Sequence, residues 1–553
     1  MLSIILNWLY VIFISLGLGI GVSEVSDKVF KYRIKSMDSL LMAGLAVSTV
    51  YAQIFSLFSG VGMLANVLLA FACVIIYIWC RKRLKKYFIE QKGKKLGIYY
   101  ILFVALMIVW AYFTSRGYMH YDSDLYHAQS IRWIEEYGVV PGLGNIHVRF
   151  AYNSSFFALS ALYSMKFLTG VSMHAMSGFF AFVLSLTALK ITQNLKEKKL
   201  SLSGFARIGL LYYLIVIMDE VVSPASDYSI MCVIFFIVIK WLDLLENEEK
   251  QAAPYALLCV LGVYALTLKL TAGLIVLLVS KPLYQLIKEK KGKEIIIYIC
   301  MGLIVAFPWF ARTVVISGWL LYPLPSLDLF SFDWEMPAAL IKSDAAQITT
   351  WGRALYNESL IDVPITQWFP NWFSTTLSGM EKILILGNCI CLVIFVADVT
   401  VTFLKRNWKK MDTILIIGVV MASYLFWQLS APLIRYGYAY VLLLDFLVVG
   451  WILIRTKHKI IQNVVYVVLA LYGVYKLFAL GDYIYDTRLV ETYIWQMEYG
   501  KYELNTFQVG NHTFYYPEQG DRTGYDSFPS LPREVEIRFR GDDIKDGFYS
   551  YKL

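Results

Sequence analysis

Charge is scarce in this sequence. Asp, Glu, Lys and Arg make up 16% of its 553 residues, where a soluble domain carries about a quarter. So little charge beside so much apolar residue excludes intrinsic disorder. Histidine (6), proline (14) and cysteine (7) are sparse as well. Every cysteine lies in or beside an apolar run, so neither a disulfide framework nor a zinc site is expected. Cys389 and Cys391, two apart on a helical pattern, read as small apolar filler. The chain has no phosphate-binding glycine loop, no dinucleotide fingerprint, no H-E-x-x-H and no G-x-S-x-G. Energy from a nucleotide is not indicated, and an activated donor must bring its own leaving group.

Apolar residues abound. They reach 58%, the mean hydropathy is +0.58, and 40 Tyr and 15 Trp supply rings suited to membrane interfaces. This is the composition of an all-α polytopic membrane protein. The net charge of +9 comes from basic residues clustered between apolar runs. Positive-inside topology explains them without nucleic acid.

About fourteen segments are apolar and long enough to be candidate spans. They lie near 2–22, 38–58, 61–80, 97–116, 173–193, 204–220, 226–245, 254–268, 271–287, 293–311, 381–404, 411–429, 436–454 and 460–480. The first lacks a basic leader and reads as a retained helix. Basic runs at Lys28–Lys35, Arg81–Lys86, Lys196–Lys199, Lys288–Lys293, Lys405–Lys410 and Arg455–Lys459 belong on the cytoplasmic side. The loops 117–152 and 312–380 and the tail 481–553 then face outward. A transmembrane unit over 1–480 and an external C-terminal lid over 481–553, mixed or β-rich, are expected. Strand-like runs in the lid are Phe507–Val509 and Val535–Phe539. The short apolar stretch 153–169 reads as juxtamembrane or re-entrant. The runs 254–268 and 271–287, with Lys269 between them, read as a hairpin.

The first external loop is the richest in chemistry: Gly117-Tyr-Met-His-Tyr-Asp122-Ser-Asp124-Leu-Tyr126-His127. After it, Leu125, Ala128, Ile131 and Ile134 recur every three residues, which predicts a short amphipathic helix lying along the membrane interface. Asp122 or Asp124 would stand at its N-terminus. Such a residue can be a helix cap, a general base for an acceptor hydroxyl or a ligand for a divalent cation. Spacing leaves all three open. Tyr126 and His127 are adjacent candidates for substrate contact.

Three cations escape the positive-inside pattern: Lys269 between two half-length runs, Arg312 at the outer end of a span, and Arg435 after Ala431-Pro432. Each can snorkel to headgroups or bind a phosphate. Together with Asp122 they are expected to line one outward cavity. Lys166, Lys190, Lys240, Asp398 and Lys476, mostly near run ends, read as snorkelling side chains. Asp219, Glu220 and Asp227, around Ser223-Pro224-Ala-Ser226, could hydrate the mouth of a cavity but read first as a solvated turn. His174, His458 and His512 read as surface.

A helix, an external Asp and an interfacial helix in succession resemble the GT-C superfamily of membrane glycosyltransferases. The stretch YDSDLYHAQSIRWIEEYGVVPGLGNIHVRFAYNSS is similar to a bacterial multi-pass family related to GT-C enzymes, with members reading roughly YD-x-x-LYH-x-Q-x-I-x-WIEEY-x-x-VPGLGN. SPASD (223–227), TLKLTA (267–272), the run from PWFAR at 308 and APLIRYGY (431–438) extend the likeness over most of the chain. The resemblance implies a GT-C-like fold in a bacterial inner membrane. It implies transfer of a sugar from a polyprenyl-phosphate-linked donor to a glycan or lipid-linked acceptor outside the cell. Asp122 would match the family's aspartate and act as base, with Asp124 second because the pattern there often has a small residue. Arg435 would resemble the basic residue near the donor phosphate, although Leu433-Ile434 depart from the more polar pattern beside it. A glycan polymerase is one rival. A transporter or flippase of lipid-linked saccharides is another, but transporters often carry inverted repeats and no repeat is visible here.

Overall fold

A computed structural model describes residues 1–91, 96–192, 200–456 and 459–550. The basic residues Lys196, Lys198, Lys199 and Lys457, and His458, lie outside the described residues. The apolar runs become helices because a helix satisfies its own backbone hydrogen bonds where water is absent. In chain order these are α1 (Leu2–Phe30), α2 (Met37–Ser56), α3 (Met63–Gln91), α4 (Leu96–Ser115), α5 (Ala128–Glu136), α6 (Ser155–Leu162), α7 (Met176–Ala188), α8 (Leu202–Val216) and α9 (Ser226–Glu246). There follow α10 (Ala252–Leu268), α11 (Leu270–Lys288, its first half a 3-10 helix), α12 (Gly292–Ser317), α13 (Ala338–Gly352), α14 (Ile365–Thr375), α15 (Gly379–Leu404), α16 (Met411–Ser430), α17 (Ile434–Thr456) and α18 (Lys459–Thr487).

Among the described residues, 9 of these helices are long and apolar enough to cross a membrane. They are α1, α2, α3, α9, α11, α12, α15, α16 and α17. The shorter apolar helices α4, α7, α8 and α10 pack among them. Helix also covers the remaining predicted segment, 460–480, within α18. The protein is thus an all-α membrane protein.

Helix α9 lies at the centre. It is buried without a break from Asp227 to Leu242, as a helix apolar on all sides must be. That burial carries Asp227, at its first turn, into the protein. The stretch 153–169 does not span. Its middle forms the eight-residue α6, every residue of which is buried, while Phe167 and Leu168 near its far end are exposed.

The loops 117–152 and 312–380 and the tail gather at one end of the bundle. Trp133, Phe150, Trp319, Met336, Phe514 and Phe548 form a second hydrophobic core there. The tail carries a two-stranded antiparallel sheet, β1 (Leu504–Val509) and β2 (His512–Pro517), with Phe507 opposite Phe514. The expected strand at Val535–Phe539 does not form. The chain turns back at a capped Asp543–Asp546 turn, leaving one bridge, Phe539 to Phe548.

The amphipathic helix of the first loop also differs from expectation. Residues 123–127 form a π-helical turn and α5 follows. This helix does not lie on lipid. Ile131 and Ile134 join the main core while Trp133 joins the second core. Its polar residues reach the tail: Gln129 donates to the carbonyls of Gly524 and Ser527, both at 2.9 Å, and Arg132 donates to that of Tyr525 at 2.6 Å. A helix with apolar residues on two sides and tail carbonyls on the third is wedged between bodies.

A candidate active site at the loop end

The quoted motifs, distant in sequence, are bonded to one another at this end. Gly117 has φ +128°, and a side chain there would collide with the Asp219 carbonyl. The close approach lets Tyr118 N donate to Asp219 O at 2.6 Å. Ser223 Oγ accepts from His120 N at 2.8 Å, so the SPASD segment fixes the backbone leading to Asp122. Ser154 Oγ donates to Leu268 O at 2.7 Å, and Ser155 pairs with Thr267 at 2.9 Å. These bonds hold the break between α10 and α11, where Lys269 is extended. Gly437 lies flat against the Trp427 indole, whose Nε1 donates to Leu433 O at 2.9 Å. A Cβ at Gly437 would stand 2.3 Å from that ring. The contact fixes the first turn of α17 and with it Arg435.

Four segments thereby deliver a continuous chain of polar groups. The Lys269 ammonium pairs with Asp227 and sits 3.2 Å from the Tyr436 ring centroid. Arg435 Nε lies 3.4 Å from the second Asp227 oxygen. Its Nη2 meets Asp122 at 2.5 Å, and its Nη1 donates to the His120 ring. His120 Nδ1 stands 3.6 Å from Asp122. The order is Lys269, Asp227, Arg435, Asp122, His120, with the guanidinium shared between two carboxylates and an imidazole. A planar guanidinium suits that sharing and equally suits a tetrahedral phosphate.

The electrostatics follow from these neighbours. Burial would push the Asp122 carboxyl up, but Arg435, His127 and His120 outweigh it and hold it down at about 2. Burial and the Arg435 charge hold the His120 imidazole below its ordinary value. Burial likewise lowers His127 to about 3, so its ring is neutral at pH 7. His127 Nδ1 has no hydrogen-bond partner. Burial, then the Asp122 charge, raises the Tyr126 phenol well above its ordinary value. In the resting site Asp122 is therefore ionised but weakly basic.

The structure brings together Asp122, Lys269 and Arg435, with Tyr126 and His127 alongside. It separates the two aspartates of the D-x-D pair. Asp124 faces away and accepts from Gly500 N at 3.1 Å and Tyr502 OH at 2.9 Å. Its own carbonyl accepts from the amides of Thr523 and Gly524, both at 3.0 Å. Asp124 fastens the tail. Asp122 occupies the N-cap position before the π-helical turn but makes no side-chain capping bond. Arg312 is absent from the chain. It is buried against Asn153 and Ser56.

Sequence reasoning missed two contributors and misplaced one histidine outside the site. Asp227 was expected in a solvated turn; it is 4% exposed and holds two cations, because it begins the most buried helix. His120 joins Asp122 in the chain. His174, expected at the surface, is buried and bonded to Tyr499 and Ser172. Among the described residues, no group of three or more His, Cys, Asp or Glu is gathered so as to hold a metal.

These bonds tie together motifs from Asp122 to Arg435, and a family profile spans that interval. The chain belongs to the DUF8201 family. Its profile, described as a domain of unknown function, matches residues 1–442. No curated protein and no solved structure matches the chain. Every member of the Lys269-to-His120 chain lies inside the DUF8201 match, whereas the tail bound by Asp124 lies beyond it.

Proposed function

We propose that this protein is a GT-C-like glycosyltransferase with about fourteen spans, set in a bacterial inner membrane with its loop end outward. It would move a sugar from a polyprenyl-phosphate-linked donor to a glycan or lipid-linked acceptor. The observation that carries the reading is Arg435 shared between Asp122 and Asp227 at the meeting point of the loops. Such a guanidinium can exchange a carboxylate for a donor phosphate, with Lys269 as the second cation.

The chemistry is an inverting displacement. The acceptor oxygen attacks the anomeric carbon as the carbon–oxygen bond to phosphate breaks. The bonding pair leaves with the phosphate, whose growing charge Arg435 and Lys269 neutralise. Asp122 takes the acceptor proton. Arg435 depresses its basicity at rest, so donor phosphate drawing Arg435 away would strengthen the base as the site fills. Tyr126 and His127 would contact the sugar. The tail would cover the site and exclude water, which otherwise competes as acceptor. An apolar groove between α14 and α15, lined by Phe369, Phe373, Ile385 and Leu386, could receive the polyprenyl tail. Trp372, on the same helix α14, donates to Pro432 O at 2.9 Å, three residues before Arg435.

Transport of a lipid-linked saccharide has one observation in its favour. Asp445 lies well inside α17, takes a 2.6 Å hydrogen bond from Asn388 and makes no ion pair among the described residues. Intramembrane carboxylates often mark ion pathways. Purified protein incubated with labelled polyprenyl-phosphate sugars separates the readings. Transfer of label from lipid to an acceptor supports the enzyme; movement of intact donor across vesicles without loss of sugar supports the transporter.

A further inference from the structure

A second polar centre lies apart from the Asp122 chain and does not depend on the transferase reading. Arg312, near the end of α12, is only 2% exposed. Its Nε donates to Asn153 Oδ1 at 2.9 Å and its Nη1 to Ser56 Oγ. Among the described residues no carboxylate pairs with it, and its Nη2 makes no hydrogen bond. Arg207 is buried as deeply, yet two Nη2 bonds tie it to Asp243 at 2.8 and 2.7 Å. A guanidinium stays charged in any protein, and a buried charge without a counter-charge is strongly destabilising.

A small cavity touches this guanidinium, lined also by Ser130, Asn153, Ser154, Phe150 and Phe157. Its free donors are the Arg312 Nη2 and the Ser130 hydroxyl. Ser130 Oγ is buried and has no partner. Asn153 Oδ1 is taken by Arg312, while its Nδ2 donates to Trp309 O and Thr313 Oγ1. Ser154 Oγ is directed at Leu268 O. The cavity has room for one small occupant. We propose that this cavity binds a single monatomic anion of the size of chloride, held by Arg312 and Ser130. The ion supplies the missing counter-charge. It ties α2 and α12 to the Asn153-Ser-Ser155 segment, which also braces the turn carrying Lys269.

The test is thermal unfolding of the purified full-length protein in detergent, with chloride exchanged for gluconate at constant ionic strength. An ion bound only by the folded form raises the unfolding midpoint with the logarithm of its concentration. Wild type should show that rise in chloride and in bromide. Ser130→Ala should need more halide for the same rise, Arg312→Gln should show none, and Arg435→Gln should respond as wild type does. Absence of a halide response in wild type, or an undiminished one in Arg312→Gln, overturns the proposal. If Arg312→Gln does not fold, a bromide-soaked wild-type crystal decides. An anomalous peak beside Arg312 and Ser130 supports the site, and its absence at saturating bromide overturns it. The two centres share no residue, so failure here leaves the transferase reading untouched.

Discussion

The two ends of the helical bundle handle buried charge differently. At the end away from the loops, Lys240 meets Asp38 at 2.6 Å and Arg207 grips Asp243 with two bonds. Thr187 completes both pairs, donating to Asp38 at 2.8 Å and accepting from Arg207 Nε at 3.1 Å. Lys240, expected to snorkel from a run end, is instead 8% exposed and paired. These four side chains keep 1–15% of their surface open. At the loop end one guanidinium serves two carboxylates, and Lys269, Arg435, Asp122 and His120 keep 20–23% open while Asp227 between them is closed at 6%. Closed pairs clamp helices, with Lys190 reaching Asp243 only from the exposed side at 3.3 Å. An open chain with a shared cation can change partners, and that distinction marks a site.

The largest effect on stability is expected where the clamp is closed. Asp243→Ala leaves Arg207 buried without its carboxylate and should cost about 3–5 kcal/mol. Thermal unfolding in detergent reads the loss. A destabilisation no larger than that of Asp122→Ala would erase the contrast between the two ends. A smaller effect is expected at the tail. Asp124→Ala leaves Gly500 N and Tyr502 OH without an acceptor and should cost about 1–3 kcal/mol. Limited proteolysis should then cut between 498 and 526 sooner, with the membrane bundle intact. Unchanged cleavage would show that the tail is held by other contacts.

The effect that is smallest near neutral pH is a dependence on pH. His127 is lowered from 6.5 to about 3 in the folded protein. Between those values the unfolded chain binds the proton and the folded chain does not. Its contribution to stability is therefore complete above about pH 6.5 and lost as the pH falls towards 3, by about 1.4 kcal/mol per pH unit. Burial lowers His147 as well, so His127→Leu should make the slope shallower without abolishing it. An identical slope in the variant would place His127 in water.

Much of this was readable from sequence, and the failures have physical causes. The apolar runs gave the helices because a backbone in lipid must bond to itself. The short stretch 153–169 was separable from a span because counting it as one would put the basic run Lys196–Lys199 outside. Lys269 and Arg435 stood out as cations at the wrong end for positive-inside topology. Arg312 stood out for the same reason but went elsewhere, because the direction in which a helix turns its face is set by packing. Asp227 sits beside Pro224 and Ser226, a composition that also suits a solvated turn, and only the burial of α9 distinguishes them. Asp122 and Asp124 are two residues apart, yet one meets Arg435 and the other meets Gly500, 376 residues away. Spacing within a motif cannot reveal a partner at that separation.

The central claim is that the Arg435-linked aspartate is the base of a transfer reaction and its neighbour is not. Turnover of a labelled polyprenyl-phosphate sugar by Asp122→Asn and Asp124→Asn, each compared with wild type at saturating donor, tests it most directly. Asp122→Asn should lose about 10²–10⁴ in turnover, the usual share of general acid–base catalysis, while donor affinity changes little because the cations remain. Asp124→Asn should lose far less. Full activity in Asp122→Asn, or a larger loss in Asp124→Asn, would contradict the account.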